Sequence, residues 1–188
     1  MSVVKAHEGK LVRIRLMTED DFPDFLRANH NPDIEQLSGG IYPMYPDELK
    51  EYYEDEMKDG SVCFVVELQK TGKVIGEVGL HDIKQGDKVA EISITVFDEE
   101  NHGKGYGSDA LEILIRYAFE YLSMRKLVAW IYAHNTPSIT LFEKYGFECN
   151  GRQKSHKLIR GKYEDCLVYE KFRGEEFKNA IPISMKRL

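Results

Sequence analysis

Several features of other protein classes are missing from this 188-residue sequence. It has no run of about 18 apolar residues, so we expect no membrane-spanning segment, and its first ten residues lack the apolar stretch of a signal peptide. Three cysteines, an odd number, indicate free thiols in a cytoplasmic protein. The formal net charge of −6 argues against nucleic-acid binding and is compatible with a cationic substrate.

Sequence patterns for two kinds of ligand site are missing as well. The six histidines show no spacing typical of metal ligands, so we expect no metal. The string Gly-x-x-x-x-Gly-Lys-Ser/Thr of a Walker loop does not occur. Internal repeats and Pro/Gly/Ser linkers are also absent. We therefore expect one domain over residues 1–188, with a core at about 10–173 and a short C-terminal extension at 174–188.

What the sequence does contain is a series of strand and helix patterns. Their order is one strand, two helices, three strands joined by short turns, a helix, a strand, a helix and two final strands. The three central strands are predicted as an antiparallel meander over Val62–Leu68, Val74–His81 and Val89–Phe97. The sequence therefore predicts an α/β protein with a sheet of mixed strand directions. Trp130, in the strand after the meander, is predicted to be a core residue.

A glycine-rich turn, His102 to Gly107, lies between the meander and a predicted helix. The first turn of a helix has unpaired N–H groups and a positive dipole end, and glycines let the backbone approach an anion closely. The pattern thus predicts a phosphate site, with Lys104 as a nearby cation, although it fits a flexible surface turn equally well. The spacing Gly-x-Gly-x-Gly differs from the dinucleotide fingerprint Gly-x-Gly-x-x-Gly.

The spacing instead resembles the GNAT acyltransferase signature Gln/Arg-x-x-Gly-x-Gly/Ala, with His102 in place of Gln or Arg. Two more segments carry the resemblance. Ala90–Ile94 is similar to a strand of the branch that acetylates ribosomal-protein N-termini and, in close relatives, polyamines. Asn135–Phe147 is similar to the family's segment Asn-x-x-Ser/Ala-x-x-x-Tyr-x-Lys-x-Gly-Phe. Together the motifs are much more specific than the turn alone.

The resemblance implies a GNAT-type acyl-CoA N-acyltransferase fold, α/β (α+β), with a mixed six- to seven-stranded sheet and about four flanking helices. It implies acetyl-CoA as cosubstrate, with its pyrophosphate in the turn and its pantetheine arm between the strands on either side of that turn. The residues that the resemblance assigns to the coenzyme are Ile94, Thr95, Val96, His102, Gly103, Lys104, Gly105, Tyr106, Gly107, Ser108, Asn135 and Phe142.

Acetyl transfer to an amine requires a base, because an alkylammonium with a pKa of about 10 has no lone pair. The resemblance implies Glu91 for this role, directly or through water; the alternatives are an anchor for the ammonium and a solvent-facing strand residue. The family's acid is a tyrosine, and Phe142 at that position cannot donate a proton. Tyr145 is three residues on, at a position that usually packs into the core. A thiol has a pKa of about 8.5, so the thiolate of CoA can leave without an acid.

The acceptor stays open between a peptide N-terminus and a small amine such as a polyamine. The resemblance implies that Tyr42 borders the acceptor site. The oligomeric state stays open, and the resemblance favours a homodimer. The acidic residues of segment 47–56 could attract a polycation, but a solvated helix face is the more common explanation. Two further alternatives are a CoA-binding module with weak or no catalysis, motivated by Phe142, and a nucleotide-binding protein of another fold.

Overall fold

One eight-stranded sheet forms the centre of the computed structural model, which describes residues 6–32, 34, 37 and 45–174. The strands are β1 (Ala6–Glu8), β2 (Val12–Leu16), β3 (Val62–Leu68), β4 (Val74–Lys84), β5 (Val89–Val96), β6 (Lys126–Tyr132), β7 (Glu148–Ile159) and β8 (Lys162–Phe172). Their spatial order is β1-β2-β3-β4-β5-β6-β8-β7, and each neighbouring pair is antiparallel except the parallel pair β5–β6. The mixed α/β sheet and the meander β3–β4–β5 are therefore confirmed. The strand beyond the expected six to seven is β1, whose three residues are too few to show an alternating pattern.

Four α-helices pack on this sheet in the described part of the chain: α1 (Phe22–Asn29), α2 (Pro46–Lys58), α3 (Tyr106–Arg116) and α4 (Thr136–Lys144). Helix α3 continues into a π-helical turn over Tyr117–Tyr121. Helix α4 begins where the Asn135 side chain accepts the N–H of Ser138, and it ends before Gly146, which has a φ of +74°. None of the helices in the described ranges is long and apolar enough to cross a membrane.

Two hydrophobic clusters fill the space on the two faces of the sheet. Helices α3 and α4 belong to the larger cluster, in which Leu111, Leu114 and Phe119 are fully buried. Helices α1 and α2 contribute Phe25 and Tyr53 to the smaller one. The sheet is continuous from residue 6 to residue 172, while residues 175–188 of the expected extension lie outside the described residues.

Candidate active site

The strands β5 and β6 pair over only three residues and then separate. The register joins Val89–Glu91 to Lys126–Val128, and no pair follows, although both strands continue. The part of β5 that pairs with β4 but not with β6, Ile92–Val96, extends for about 16 Å at the usual rise of a strand. A cavity of about 1240 Å³ opens here, lined by residues of β5 and β6, the glycine-rich turn and α4. The gap gives an extended ligand a place between the two strands.

The glycine-rich turn forms one end of this cavity. Gly103 and Gly105 have positive φ angles of 71° and 85°, which favour glycine, and Gly105 immediately precedes the first residue of α3. A Cβ at Gly107 would lie 3.4 Å from the Val96 side chain, so the turn packs directly against the end of β5. The unpaired N–H groups of α3 therefore meet the open end of the gap, which is the arrangement that binds a phosphate.

The structure brings most of the sequence-predicted coenzyme residues together around this cavity. Lys104 is the exception, because it is exposed and is not among the lining residues. His102 lines the cavity and places Nε2 3.2 Å from the Val96 carbonyl oxygen. The lining includes Ile94, Thr95, Val96, His102, Gly103, Gly105, Tyr106, Gly107, Ser108, Asn135 and Phe142.

A second lysine, which the sequence interpretation did not single out, lies at the open end of the gap beside the glycine-rich turn. Lys144 Nζ donates to Ser108 Oγ at 2.6 Å, and Lys144 lines the cavity. The neighbouring Tyr145 hydroxyl donates to the Ser108 carbonyl oxygen at 2.7 Å, and burial is the main cause that raises its pKa. Because Ser108 belongs to the first turn of α3, Tyr145 lies at the open end of the gap and away from the end where β5 and β6 pair. Lys144 is thus a cation placed to meet an anion at this turn.

The first turn of α3 is attached to the β1–β2 turn by a buried carboxylate. Asp109 accepts the backbone N–H groups of Lys10, Leu11 and Val12 at 3.0, 2.7 and 2.9 Å. Gly9 makes room for it, because a Cβ there would lie 2.5 Å from Asp109 Oδ2. These partners are 97 to 99 residues apart in sequence, so no local pattern indicates the contact. The bonds fix the position of the helix end that faces the cavity.

Asn135 is held in one orientation at the wall of the cavity. Its Oδ1 accepts the N–H of Ser138 at 3.1 Å, and its Nδ2 donates to the carbonyl oxygen of Leu37 at 3.2 Å. An amide of fixed orientation suits the binding of an amide-containing chain such as pantetheine, because each of its polar atoms can make one more hydrogen bond.

The gap is closed at the end where β5 and β6 pair. Near this end, polar side chains lie on the sheet face that α1 and α2 cover. Glu91 is the last residue of β5 that pairs with β6, and it is opposite His81 on β4. Ser93 and Thr95 follow on the same face, opposite Gly79 and Glu77. The hydroxyl of Tyr53 on α2 donates to Glu77 Oε2 at 2.9 Å, and burial followed by the charge of Glu77 raises the pKa of Tyr53. Two carboxylates therefore line this part of the cavity.

Phe142 has contacts both in the core and in the cavity. Its side chain is 2% exposed and packs edge-to-face on Phe147, with ring centroids 4.9 Å apart. It also belongs to the cavity lining. Cys166, opposite Tyr132 on β6, is buried, and desolvation, with a smaller contribution from the charge of Glu91, raises the pKa of its thiol.

The prediction of Trp130 as a core residue is wrong. Its side chain is 42% exposed, lines the cavity and stacks on His156 with ring centroids 6.2 Å apart. Alternation along β6 directs Leu127, Ala129 and Ile131 into the core and Trp130 to the opposite face, which packs less tightly at this position.

Other expectations concern the surroundings of the cavity. Tyr42, the expected acceptor-side residue, lies outside the described residues. The acidic residues of α2 at positions 47, 48, 51, 54 and 55 are exposed and do not line the cavity, as expected for a solvated helix face. Among the residues with described positions, no group of three or more His, Cys, Asp or Glu side chains is placed to hold a metal ion.

Comparisons with known proteins agree with this geometry. The model of a protein family described as the acetyltransferase (GNAT) domain matches residues 12–148. The chain is 31% identical over 113 residues to the uncharacterized N-acetyltransferase p20 of Bacillus licheniformis. The aligned residues make up 60% of this chain and 62% of that protein. The match thus spans less than two thirds of that relative's length.

Two solved structures share the fold over nearly their whole length. Spermidine N-acetyltransferase from Vibrio cholerae, in complex with CoA and spermine, matches with a TM-score of 0.80 and 24% identity, covering 86% of this chain and 95% of that one. The ribosomal L7/L12 alpha-N-protein acetyltransferase RimL, in complex with coenzyme A, matches with a TM-score of 0.80 and 18% identity, covering 89% and 98%. At 24% and 18% identity, the similarity to these two structures shows the fold alone.

Proposed function

Because this chain belongs to the GNAT acetyltransferase family, we propose that it transfers the acetyl group of acetyl-CoA to a primary amine, on a peptide N-terminus or on a small molecule. The observation that carries the proposal is the gap between β5 and β6, which has the glycine-rich turn and the N-terminus of α3 at its open end and Glu91 at its closed end. A cosubstrate with a phosphate group at one end and a reactive thioester at the other fits such a gap.

The residues along the gap fit acetyl-CoA in chemical type. The glycine turn and the start of α3 offer backbone N–H groups to a pyrophosphate, and Lys144 adds a positive charge. The backbone of Ile94, Thr95 and Val96 offers strand-like hydrogen bonds to the pantetheine amides, and Asn135 offers its side-chain amide. When bound, the coenzyme supplies the thioester that reacts.

Glu91 is the proposed partner of the acceptor amine. Its strand face and its place at the end of the β5–β6 pairing put its carboxylate in the cavity at the closed end of the gap. A carboxylate there holds the incoming ammonium at the place where it must lose its proton. Cytoplasmic localisation and assembly into a homodimer remain predictions; light scattering in solution tests the latter.

The test is a spectroscopic assay for free CoA thiol with a panel of polyamines and short peptides. We expect turnover with at least one amine, and we expect Glu91→Gln to reduce kcat by about 100-fold or more while acetyl-CoA affinity changes little. Glu99→Gln, at an exposed acidic position outside the cavity, is the matched control. Unchanged turnover in Glu91→Gln would contradict the assignment. Tight acetyl-CoA binding without turnover on any amine would favour a CoA-binding module.

A polyamine acceptor is the second candidate, and Glu77 is the observation in its favour. Glu77 is opposite Thr95, four residues along β5 from Glu91, so the two glutamates are separated by about 13 Å along the sheet. Two carboxylates at that spacing suit an acceptor with a second cationic nitrogen. A lower KM for diamines than for monoamines of the same length supports this acceptor, and equal KM values contradict it.

A further inference from the structure

His81 and Ser93 form a hydrogen-bonded pair next to Glu91. His81 Nε2 lies 2.8 Å from Ser93 Oγ, across the antiparallel strands β4 and β5. The imidazole occupies the space above Gly79, where a Cβ would lie 2.5 Å from Nε2. Both side chains are half-buried and line the cavity. A residue without a side chain at position 79 thus gives the imidazole its place against the serine.

The pair is close to the place where the acceptor nitrogen must react. Glu91 is directly opposite His81, and Ser93 is two residues beyond Glu91 on the same face. Ser93 is also the second residue of β5 past the point where β6 separates. A molecule bound by Glu91 at the closed end of the gap is therefore next to the Ser93 hydroxyl.

The chemistry of proton removal favours a second group beside a carboxylate. In water a carboxylic acid titrates near pH 4 and an alkylammonium near pH 10, so direct transfer between them is unfavourable by a factor of about 10⁶. An imidazole titrates near neutral pH, which makes the same transfer about 100-fold less unfavourable. Phe142 supplies no proton to the leaving group, so a group that first takes a proton and then returns it would serve both steps.

We propose that His81, acting through the Ser93 hydroxyl, takes the proton of the acceptor ammonium, while Glu91 holds that ammonium in place. In the tautomer with its proton on Nδ1, His81 Nε2 accepts from Ser93. The ammonium gives a proton to Ser93 Oγ as the Ser93 hydroxyl proton moves to Nε2, which leaves a neutral amine and an imidazolium. The amine forms the C–N bond and the C–S bond breaks with its electron pair on sulfur. The imidazolium proton passes to the thiolate, and the second proton of the former amine nitrogen passes to water, which leaves the neutral amide.

This inference rests on the proposed acetyl transfer, and its clearest signature is a pH profile. The titratable side chains that share the cavity with His81 are Glu77, Glu91, Cys63, Cys166, Tyr52, Tyr53, Tyr106, Tyr132, His102, His156, Lys144 and Lys157. Two of these, His102 and His156, are also imidazoles, and loss of the acid limb in His81→Gln distinguishes His81 from them. Among these side-chain types only imidazole ordinarily changes charge near neutral pH, so we expect kcat/KM for the acceptor to fall on the acid side of neutrality. His81→Gln keeps a polar group beside Ser93 but has no proton to exchange in this range.

The experiment compares His81→Gln, Ser93→Ala and Gly79→Ala with the wild-type protein and with His30→Gln, an exposed histidine outside the cavity. We expect His81→Gln to lower kcat about 100-fold, to remove the acid limb and to leave acetyl-CoA affinity unchanged. Gly79→Ala displaces the imidazole and is expected to give the same profile. The NMR titration of the His81 imidazole, which needs no turnover, is expected to shift in Ser93→Ala.

The results that would contradict the relay differ from the result that would contradict the proposed function. An active wild type whose His81→Gln variant keeps both kcat and the acid limb would overturn the relay alone. A His81 titration that is the same in Ser93→Ala and in wild type would also overturn it, because the pair would not share a proton. A wild-type protein that acetylates no amine would overturn the proposed function and the relay with it.

Discussion

At the scale of single residues, Phe142 is held by the core although it lines the cavity. Its ring packs edge-to-face on Phe147 and is 2% exposed, so most of its surface is removed from water by the protein itself. Full burial of such a side chain contributes about 2–3 kcal/mol to stability. A phenylalanine at this position therefore supports the packing of α4 without any role in proton transfer.

We predict that Phe142→Tyr leaves kcat unchanged or raises it. The new hydroxyl adds an acid at a cavity-lining position, and it lowers stability by about 1 kcal/mol if it lacks a full hydrogen-bond partner. Steady-state kinetics and thermal unfolding check both effects, with Phe147→Tyr as the control because Phe147 is equally buried but does not line the cavity. A large loss of activity in Phe142→Tyr alone would show that the phenyl ring itself matters.

At the scale of secondary-structure elements, the position of α3 depends on a contact that lies outside the helix. Three backbone N–H groups of the β1–β2 turn converge on Asp109, and all three lose their acceptor if the carboxylate is removed. The same helix presents its N-terminal turn to the open end of the gap. We therefore expect stability and the proposed coenzyme binding to be coupled through one side chain.

We expect Asp109→Ala to lower the free energy of unfolding by about 2–4 kcal/mol, because buried donors without partners each cost about 1–3 kcal/mol and water recovers part of that cost. We also expect the Kd for acetyl-CoA to rise several-fold, since the start of α3 is no longer held. Urea denaturation and calorimetry measure the two effects. Glu112→Ala, at an exposed position of the same helix, is the control. A destabilised variant with unchanged Kd would separate the two effects and contradict the coupling.

At the scale of the whole molecule, a buried charge network joins the first half of the sheet to α1. Arg15 on β2 donates from Nε to Glu67 on β3 at 2.6 Å and from its two terminal nitrogens to Asp21 at 2.7 and 2.8 Å. Glu67 and Asp21 are 3% and 5% exposed, and Arg13 also pairs with Glu67. Burial raises the pKa of Asp21, but hydrogen bonds from Arg15 and Thr18 lower it more, so the pKa lies below its ordinary value of 3.8.

We predict that Asp21→Asn lowers stability at pH 7 by about 2–3 kcal/mol, because it leaves part of a buried ion network uncompensated. A carboxyl with a depressed folded-state pKa contributes its stability above the unfolded-state pKa and loses it as pH falls through the folded-state value. The difference in Tm from wild type should therefore shrink below about pH 4. Asp24→Asn, which removes an exposed partner of Arg27, should cost less than about 1 kcal/mol. A Tm difference that stays constant between pH 7 and pH 3 would contradict this account.

The sequence predicts local features of this molecule well and distant contacts poorly. Alternation in β5 and the glycine turn are properties of neighbouring residues, and both are found as expected. The pair His81–Ser93 depends on the register of a hairpin with an irregularity after His81, and the Asp109 contact joins residues about 100 positions apart. The hydrophobicity of Trp130 indicates that its side chain prefers burial, but it does not indicate which face of the strand is covered.

The early separation of β5 and β6 has a thermodynamic consequence. Within the described chain, the backbone groups of Ile92–Val96 and Ala129–Tyr132 that face the gap have no strand partner across it. A molecule that supplies those hydrogen bonds completes the sheet, and since it binds only the folded chain it adds about 2.7 kcal/mol of stability at 100 times its Kd. Folding and the affinity for the proposed cosubstrate are therefore linked through the same backbone, and we expect the ligand-free protein to be the less stable of two folded forms.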